Sequence, residues 1–304
     1  MINARDWLLL GLILGSMLVA VILPGSGVPF RPYTSYFLMV LLFLSFLSIS
    51  VGSIARTARE HGLFLIGLLL VKLLLLPVAF FFLVRAVYPE FALAALLLGG
   101  IPTGVLAPFF STLVHANTSL AVLMVTAGSV LVPFTLPVLV RALVGQTLDI
   151  SFTAMAGILA QMIFIPLAAS ELLRRISFSF TEKIVALRYY LSLFFCVVLI
   201  LGVFSKYADF LRQNPSIVIH AFVVSVGVYA ALFVVGILVS FGRSPADRLA
   251  VIISMALINN ILVMVFSAGF FGPLEPLSGV TYCVPFFFSV VFLRAFSGWL
   301  REDR

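Results

Sequence analysis

Charge is what this sequence has least of. Only 10% of its 304 residues are Asp, Glu, Lys or Arg, and 63% are hydrophobic. A soluble globular domain carries about 25% charged residues, so the composition excludes a chain that covers itself with a water-compatible surface. Uncharged runs of about 20 apolar residues recur from one end to the other, which is typical of a polytopic helical membrane protein. We therefore expect an all-α protein in which the membrane bundle is the whole chain.

Cysteine and histidine are also scarce, with two and three residues. Cys196 and Cys283 lie inside apolar runs without metal-ligand spacing, which predicts small core residues. The histidines lie near the ends of apolar runs, where they suggest no proton relay. The carboxylate pairs, nucleophile arrangements and phosphate loops that an enzyme needs are absent. The sequence thus predicts no enzyme, no cofactor, no metal site and no obligate protein partner.

The basic residues exceed the acidic ones, which gives a net charge of +7. They are scattered between apolar runs rather than collected in a patch, so they indicate membrane topology and not nucleic-acid binding. With the N-terminus inside, twelve Lys and Arg residues fall on the inner side and five on the outer side. The bias predicts that both termini are cytoplasmic, in what we expect to be a bacterial inner membrane.

The apolar runs divide the chain into ten predicted spans joined mostly by short connections. Arg5 precedes a first span that is too long for a removable signal peptide, so that span is expected to be a mature helix. The predicted spans are residues 7–24, 36–54, 63–87, 91–114, 118–143, 152–173, 184–204, 216–241, 247–270 and 279–299.

Two of these spans are interrupted by residues that form helices poorly. The fourth carries GGIPTG at its middle, and the ninth carries Ser254 and then Asn259-Asn260 in SMALINNILVMVF. The broken span is fourth in each half of five. Because five is odd, the second half must enter the membrane from the opposite side. The sequence thus predicts two inverted five-helix repeats, residues 1–145 and 146–304, with a substrate or ion site at their matching breaks.

The first break combines Gly99, Gly100, Pro102 and Gly104. Proline cannot donate its amide, and glycine adopts backbone angles that other residues resist. Bare backbone facing lipid costs several kcal/mol per group, so this stretch should line a cavity or cross another broken segment. The half-helix after Gly104 should point its positive end at the midplane, where an anionic group fits. The alternative is that Gly and Pro are merely tolerated in a membrane helix and that Asn260 joins two helices.

A lysine stands alone in the third span, Lys72 in LLLVKLLLLP. It lies nine residues after Leu63, about 13.5 Å along a helix, near the middle of a hydrocarbon core roughly 30 Å thick. No Asp or Glu lies mid-span to pair with it. Such a residue is a functional candidate whose partners are carbonyls, amides or a substrate anion. The alternative is a lysine tolerated in a wet crevice.

The stretch GGIPTGVLAPFFSTLVHANTSLAVLMVTAGSVLVPFTLPVL resembles the bile acid:sodium symporter family, with its glycine–proline break, a loop asparagine (Asn117) and a helix ending in prolines. IISMALINNILV resembles the second crossover segment of that family, which ends in an amide pair. The resemblance implies a panel domain and a core domain, with spans four and nine crossing in the core. It also implies uptake of organic anions by alternating access.

The sequence departs from that family at the side chains that hold sodium. Sodium is a small hard cation that needs several oxygen ligands at once, and methyl groups and proline now replace five of them. The family's ligand positions fall on Ala107-Pro108 after the first break, on Ala121 and Val125 beside Thr126, on Ser254 and Ile258 at the second break, and on Lys72 in span three. We therefore expect that Lys72 replaces sodium as the cation that organises the two breaks.

These observations predict a secondary transporter of small organic anions that is sodium-independent, either facilitated or coupled to protons through Lys72. The expected substrate contacts are Thr103, Gly104, Ser254, Asn259 and Asn260. One alternative is a sensor or scaffold that kept the fold without transport. Another is a sodium/proton antiporter of similar architecture, which the missing midplane aspartate disfavours. An arsenite permease is disfavoured because neither cysteine is near the first break.

Overall fold

A computed structural model describes residues 4–47, 62–145 and 151–302. Within these ranges the chain consists of helices and short connections, and its only β-type pairing is an isolated bridge between Thr103 and Ile258. Helices are what an apolar chain must form in lipid, because each one satisfies its own backbone hydrogen bonds. The end of the predicted second span and the border between the two predicted repeats lie outside the described residues.

The described residues of the first half form six helices, two of which have fewer than ten residues. The third helix runs without interruption but changes to π geometry at Val71–Leu75. The helices are α1 (Ala4–Ile22), α2 (Thr34–Phe46), α3 (Gly62–Val87), α4 (Ala92–Gly100), α5 (Ala107–Leu113) and α6 (Thr118–Val144). Short 3₁₀ turns at Pro24–Ser26, Val28–Tyr33 and Pro89–Phe91 join some of them.

Residues 151–302 form eight helices and repeat the pattern of a pair of short helices in place of a long one. The helices are α7 (Phe152–Ile176), α8 (Phe178–Ser205), α9 (Ala208–Gln213), α10 (Pro215–Val239), α11 (Pro245–Ala256), α12 (Asn260–Phe270), α13 (Leu274–Thr281) and α14 (Cys283–Glu302).

Short polar residues between the apolar runs fix where several helices begin. The Asn117 side chain accepts a hydrogen bond from the Leu120 amide at the start of α6, and Ser151 and Ser177 do the same for α7 and α8. An N-cap of this kind satisfies a backbone amide that has no partner inside the helix. Asn117 also donates to Asp247 Oδ1 at 2.7 Å, which ties the start of α6 to the first turn of α11.

Five of the described helices are long and apolar enough to cross a membrane, so the protein is an integral membrane protein. They are Gly62–Val87, Thr118–Val144, Phe152–Ile176, Ser179–Ser205 and Pro215–Val239.

The helices pack in two groups. Helices α1, α2, α7 and α8 pack mainly against one another, and we call them the four-helix group. Helices α3 to α6 and α10 to α14 also pack mainly against one another, and we call them the crossing group. Each group takes helices from both halves of the chain. The two interrupted helices therefore lie in the same group, together with the lysine-bearing α3.

Candidate functional site

The two interrupted helices break where the sequence supplies proline and asparagine. Helix α4 ends at Gly100, and Ile101 leaves it with extended backbone angles just before Pro102. Proline disfavours helical geometry in the residue before it, which accounts for this exit. Helix α11 ends at Ala256, and Asn259 then caps α12 by accepting from the Leu262 amide.

The backbones of the two breaks bind each other directly. The Gly104 amide donates to the Leu257 carbonyl at 2.6 Å, and the Asn259 amide donates to the Pro102 carbonyl at 2.9 Å. These bonds flank the isolated antiparallel bridge between Thr103 and Ile258. Groups that the two helices cannot satisfy alone are satisfied across the crossing, which avoids the cost of burying them bare.

Gly104 is required by this close approach. A Cβ at this position would lie 2.6 Å from the Ile258 carbonyl oxygen, which is backbone and cannot rotate away. Helix α6 approaches the first break from another side, because a Cβ on Gly128 would lie 3.1 Å from Pro102 Cβ. The crossing is thus packed backbone against backbone.

The last three carbonyls of α11 receive hydrogen bonds from three other segments. Thr103 Oγ1 donates to Ser254 O, Lys72 Nζ donates to Met255 O and Tyr282 Oη donates to Ala256 O, each at 2.7 Å. The final carbonyls of a helix lack partners within it, so side chains or water must supply them. Here the first break, α3 and the residue before α14 all converge on one helix end.

Lys72 is the charged member of this set, and its side chain is 1% exposed. It lies in the π-helical segment of α3, a geometry that occurs mostly as single turns and frequently at functional sites. Its ammonium contacts the C-terminal end of α11, where the helix dipole favours a cation. None of the ion pairs among the described residues includes Lys72. The buried Lys72 amine is therefore held by a carbonyl at a helix end whose dipole favours its charged form.

Residues 35–214, more than half of the chain, match a model of the sodium bile acid symporter family. The protein belongs to the sodium bile acid symporter family. The matched region contains the first break and Lys72, whereas the second break lies beyond it. No individually curated protein matches the chain. Membership in this family makes the protein a membrane transporter of the bile acid/sodium symporter kind.

Most of the site residues expected from the sequence come together at the crossing of this family member. Thr103, Gly104 and Lys72 contact α11 or the residues that follow it, as described above. Asn259 uses its amide in the crossing and its side chain as an N-cap. Ser254 is fully buried, and its Oγ has no hydrogen-bond partner within the described residues.

The side chain of Asn260 does not point toward the crossing, where the sequence placed it as a substrate contact. Its Nδ2 donates to Cys283 Sγ at 2.8 Å, so the amide faces the start of α14. The contact joins a core cysteine to the second break. This contact fits the alternative interpretation, in which Asn260 joins two helices, better than a position in the crossing itself.

Gly99 and Gly100 are the last two residues of α4, so the irregular backbone begins after them. A Cβ on Gly99 would lie 2.7 Å from Phe80, and one on Gly100 would lie 2.8 Å from Leu136. Both glycines thus let α4 approach its neighbours closely. Pro102, and not the glycine pair, lies within the irregular backbone.

Most of the positions that the resemblance aligns with the family's sodium ligands carry apolar side chains in this chain, and Ser254 and Lys72 are the polar exceptions. Side chains at four of these positions are fully buried, namely Ala107, Ala121, Val125 and Ile258. The neighbouring hydroxyl of Thr126 donates to the Val122 carbonyl of its own helix at 2.9 Å. These residues do not fit a sodium ion, because a hard cation needs oxygen ligands.

Sequence analysis missed Tyr282, which lies in the apolar stretch VTYCVP. Its ring is fully buried and its hydroxyl closes the end of α11. A buried tyrosine usually requires a hydrogen-bond partner, so a lone tyrosine in an apolar run was the available signal.

Proposed function

We propose that the protein is a secondary transporter of small organic anions in which Lys72 replaces sodium as the cation at the crossing. The observation that carries the proposal is the 2.7 Å hydrogen bond from Lys72 Nζ to Met255 O at the end of α11. A sodium ion would bind such carbonyl oxygens and later leave. An ammonium on a side chain binds the same type of oxygen and stays with the protein. Transport should therefore proceed without a sodium gradient.

The charge at the crossing favours an anionic substrate. Lys72 is buried without a carboxylate partner in the described ion pairs, so a bound carboxylate or sulfonate would compensate its charge. The Ser254 hydroxyl at the same crossing is buried and has no hydrogen-bond partner among the described residues. We propose that the substrate lies between the four-helix group and the crossing group, near Thr103, Gly104, Ser254, Asn259 and Asn260.

We further propose ten spans arranged as two inverted repeats, residues 1–145 and 146–304, with both termini in the cytoplasm of a bacterial inner membrane. The composition of the packing groups supports this arrangement, since each draws helices from both halves. The α4/α5 and α11/α12 pairs supply one broken helix in each half. The four-helix group would be the panel domain and the crossing group the core domain, which move relative to each other in alternating access.

Uptake into proteoliposomes with sodium replaced by choline tests the proposal. A panel of radiolabelled carboxylates and sulfonates should yield at least one substrate that is taken up equally well in both cations. Adding a pH gradient distinguishes facilitated transport from proton coupling. Strict sodium dependence would overturn the role given to Lys72.

Lys72→Gln keeps a hydrogen-bond donor of similar length but removes the charge, and it should abolish uptake of that substrate. Lys183→Gln is the matched control, because Lys183 is an exposed lysine at the start of α8. Normal transport by Lys72→Gln would remove the lysine from the mechanism. If no anion is transported and none raises the thermal stability of the detergent-solubilised protein, the chain is a scaffold or sensor.

A further inference from the structure

Hydrogen bonds join the two helix groups at the far end of α12. Lys206 Nζ and Tyr207 Oη, in the connection between α8 and α9, both donate to the Ala268 carbonyl, at 3.0 and 3.3 Å. Ala268 lies in the last turn of α12, where carbonyls lack partners within the helix. We call this pair of hydrogen bonds the Ala268 contact. It joins the end of α8, in the four-helix group, to the end of α12, in the crossing group.

The two donors are held in place by their own helix group. Lys206 Nζ lies 5.2 Å from the centroid of the Tyr207 ring, a cation–π distance that keeps the two donors side by side. Just before them, Arg31 donates through Nε to Ser205 Oγ at 2.9 Å and through Nη2 to Ser205 O at 2.6 Å. Arg31 belongs to the 3₁₀ turn between α1 and α2. Lys206 and Tyr207 should therefore move together with the four-helix group.

The Ala268 contact differs from the contacts at the crossing in its access to water. Lys206 is exposed, and Tyr207 and Ala268 are half-buried. Lys72 and Met255, which form a hydrogen bond at the crossing, are both buried. Breaking a buried hydrogen bond leaves bare polar groups, whereas water can replace either partner of a hydrated one. The Ala268 contact can therefore open at a lower cost than the contacts that hold the crossing together.

The two groups also pack against each other along apolar helices. Helix α12 packs on α2 and α8, and α6 packs on α7, which follows it in the chain. Packed helices can slide past one another in small steps, because apolar attraction is not directional. Hydrogen bonds need a short distance and a suitable angle. The Ala268 contact therefore fixes one relative position of the two groups more strictly than the apolar packing does.

We propose that the Ala268 contact is a latch, which holds the two helix groups in the position described here and is released when they move. The inference rests on the proposed function for the movement of the two groups. It does not depend on the substrate or on the role of Lys72. Because both donors belong to one body and share one acceptor, they should leave Ala268 together. The latch then sets the proportion of molecules in this position before any substrate binds.

The size of the effect follows from the number of donors that are removed. Loss of one hydrogen bond changes an equilibrium by about two- to tenfold. Lys206→Met keeps the length of the side chain but removes its donor, and Tyr207→Phe keeps the ring but removes the hydroxyl. Each substitution should lower the ratio of latched to released molecules by about that factor. The double variant leaves Ala268 without either donor and should lower the ratio further.

Spin-label distances on the full-length protein in lipid nanodiscs, without substrate or sodium, test the proposal. Labels at Ile22→Cys and Val87→Cys would mark the ends of α1 and α3, one in each helix group. Ile22 and Val87 are 57% and 69% exposed, so the labels should not disturb the packing. The native thiols Cys196 and Cys283 are buried and should remain unlabelled. The latched position gives one distance, and release of the latch should give a second.

Lys206→Met and Tyr207→Phe should each move molecules from the first distance to the second, and the double variant should move more of them. Lys206→Arg keeps a charged donor and should restore the distribution of the unmodified chain. Lys183→Met and Tyr190→Phe are the matched controls, because Lys183 and Tyr190 are an exposed lysine and an exposed tyrosine on α8. Both controls should leave the distribution unchanged.

The same distance distribution in the double variant and in the unmodified chain would overturn the proposal. An equal shift in the two controls would also overturn it, because the cause would then be a general loosening of α8. The measurement needs neither substrate nor transport. Sodium-dependent uptake would therefore contradict the proposed function and leave the latch standing, whereas unshifted distances would remove the latch and leave the proposed role of Lys72 standing.

Discussion

The two half-helices that follow the breaks, α5 and α12, differ in length and in how well they are covered. Helix α5 has seven residues; its Phe109 and the preceding Leu106 are 48% and 40% exposed. Helix α12 has eleven residues, and every residue from Leu262 to Ser267 is buried. Helix α12 packs against α2 and α8 of the four-helix group, whereas the main packing of α5 is on α6 and α11.

Among the described residues, the two ends of the crossing are thus covered to different extents. An inverted repeat would give α5 and α12 the same partners at opposite sides of the membrane. Of these two half-helices, only α12 has substantial packing against the four-helix group among the described residues, and the Ala268 carbonyl near its end accepts hydrogen bonds from Lys206 and Tyr207. Among the described residues, the crossing is therefore more covered at the α12 end than at the α5 end.

The largest effect is expected at the crossing that both half-helices share. Gly104→Val would place a side chain against the Ile258 carbonyl and break the Gly104–Leu257 hydrogen bond. Overpacking together with a lost buried hydrogen bond should lower stability by about 3 kcal/mol or more. Thermal unfolding in detergent measures it.

Gly157→Val is the control for that substitution, because a Cβ on Gly157, within α7, would meet no atom within 4 Å. It should change stability little. If Gly104→Val unfolds at the same temperature as the unmodified protein, the close backbone pairing at the crossing does not contribute to the stability of the protein.

The accessibility of cysteines introduced on α5 and α12 tests the difference in burial between these two half-helices, and we expect a smaller effect on it. Thr112→Cys on α5 should react with a charged methanethiosulfonate, because Thr112 is exposed. Val265→Cys on α12 should be protected, because Val265 is 3% exposed. We expect at least a tenfold difference in rate, equivalent to about 1.4 kcal/mol of local opening.

The two native cysteines are buried and provide a low background for this measurement. Equal protection of both introduced thiols would mean that the exposed face of α5 meets lipid and not a water-filled crevice. The comparison between a closed end and an open end would then fail.

Much of the architecture follows from short stretches of the sequence. The GGIPTG and ALINN stretches place the breaks within a few residues, because proline and capping asparagine have strong local preferences. Lys72 was identifiable because its position along an apolar run gives its depth directly. Membership of the chain in the sodium bile acid symporter family was also visible in the residues around the first break.

The details of the crossing could not be predicted in the same way. Local pattern gives no information about which carbonyl Lys72 contacts, or that Tyr282 reaches the neighbouring one, since these contacts join residues far apart in the chain. That Gly99 and Gly100 are the last residues of α4, and not part of the irregular backbone, could not be predicted for a related reason. A glycine that permits close helix packing has the same sequence signature as one that ends a helix.

The smallest expected effect concerns the caps of the two half-helices. Asn259 accepts from the Leu262 amide, whereas Leu106, at the equivalent position before α5, offers no side-chain acceptor. Asn259→Ala should therefore cost about 1 kcal/mol of stability, the usual value for a lost N-cap. Leu106→Ala removes no cap and only a partly exposed apolar side chain, so its cost should be smaller. If thermal unfolding ranks the two substitutions in the opposite order, capping does not stabilise α12 more than α5. The greater length of α12 would then have to result from its burial.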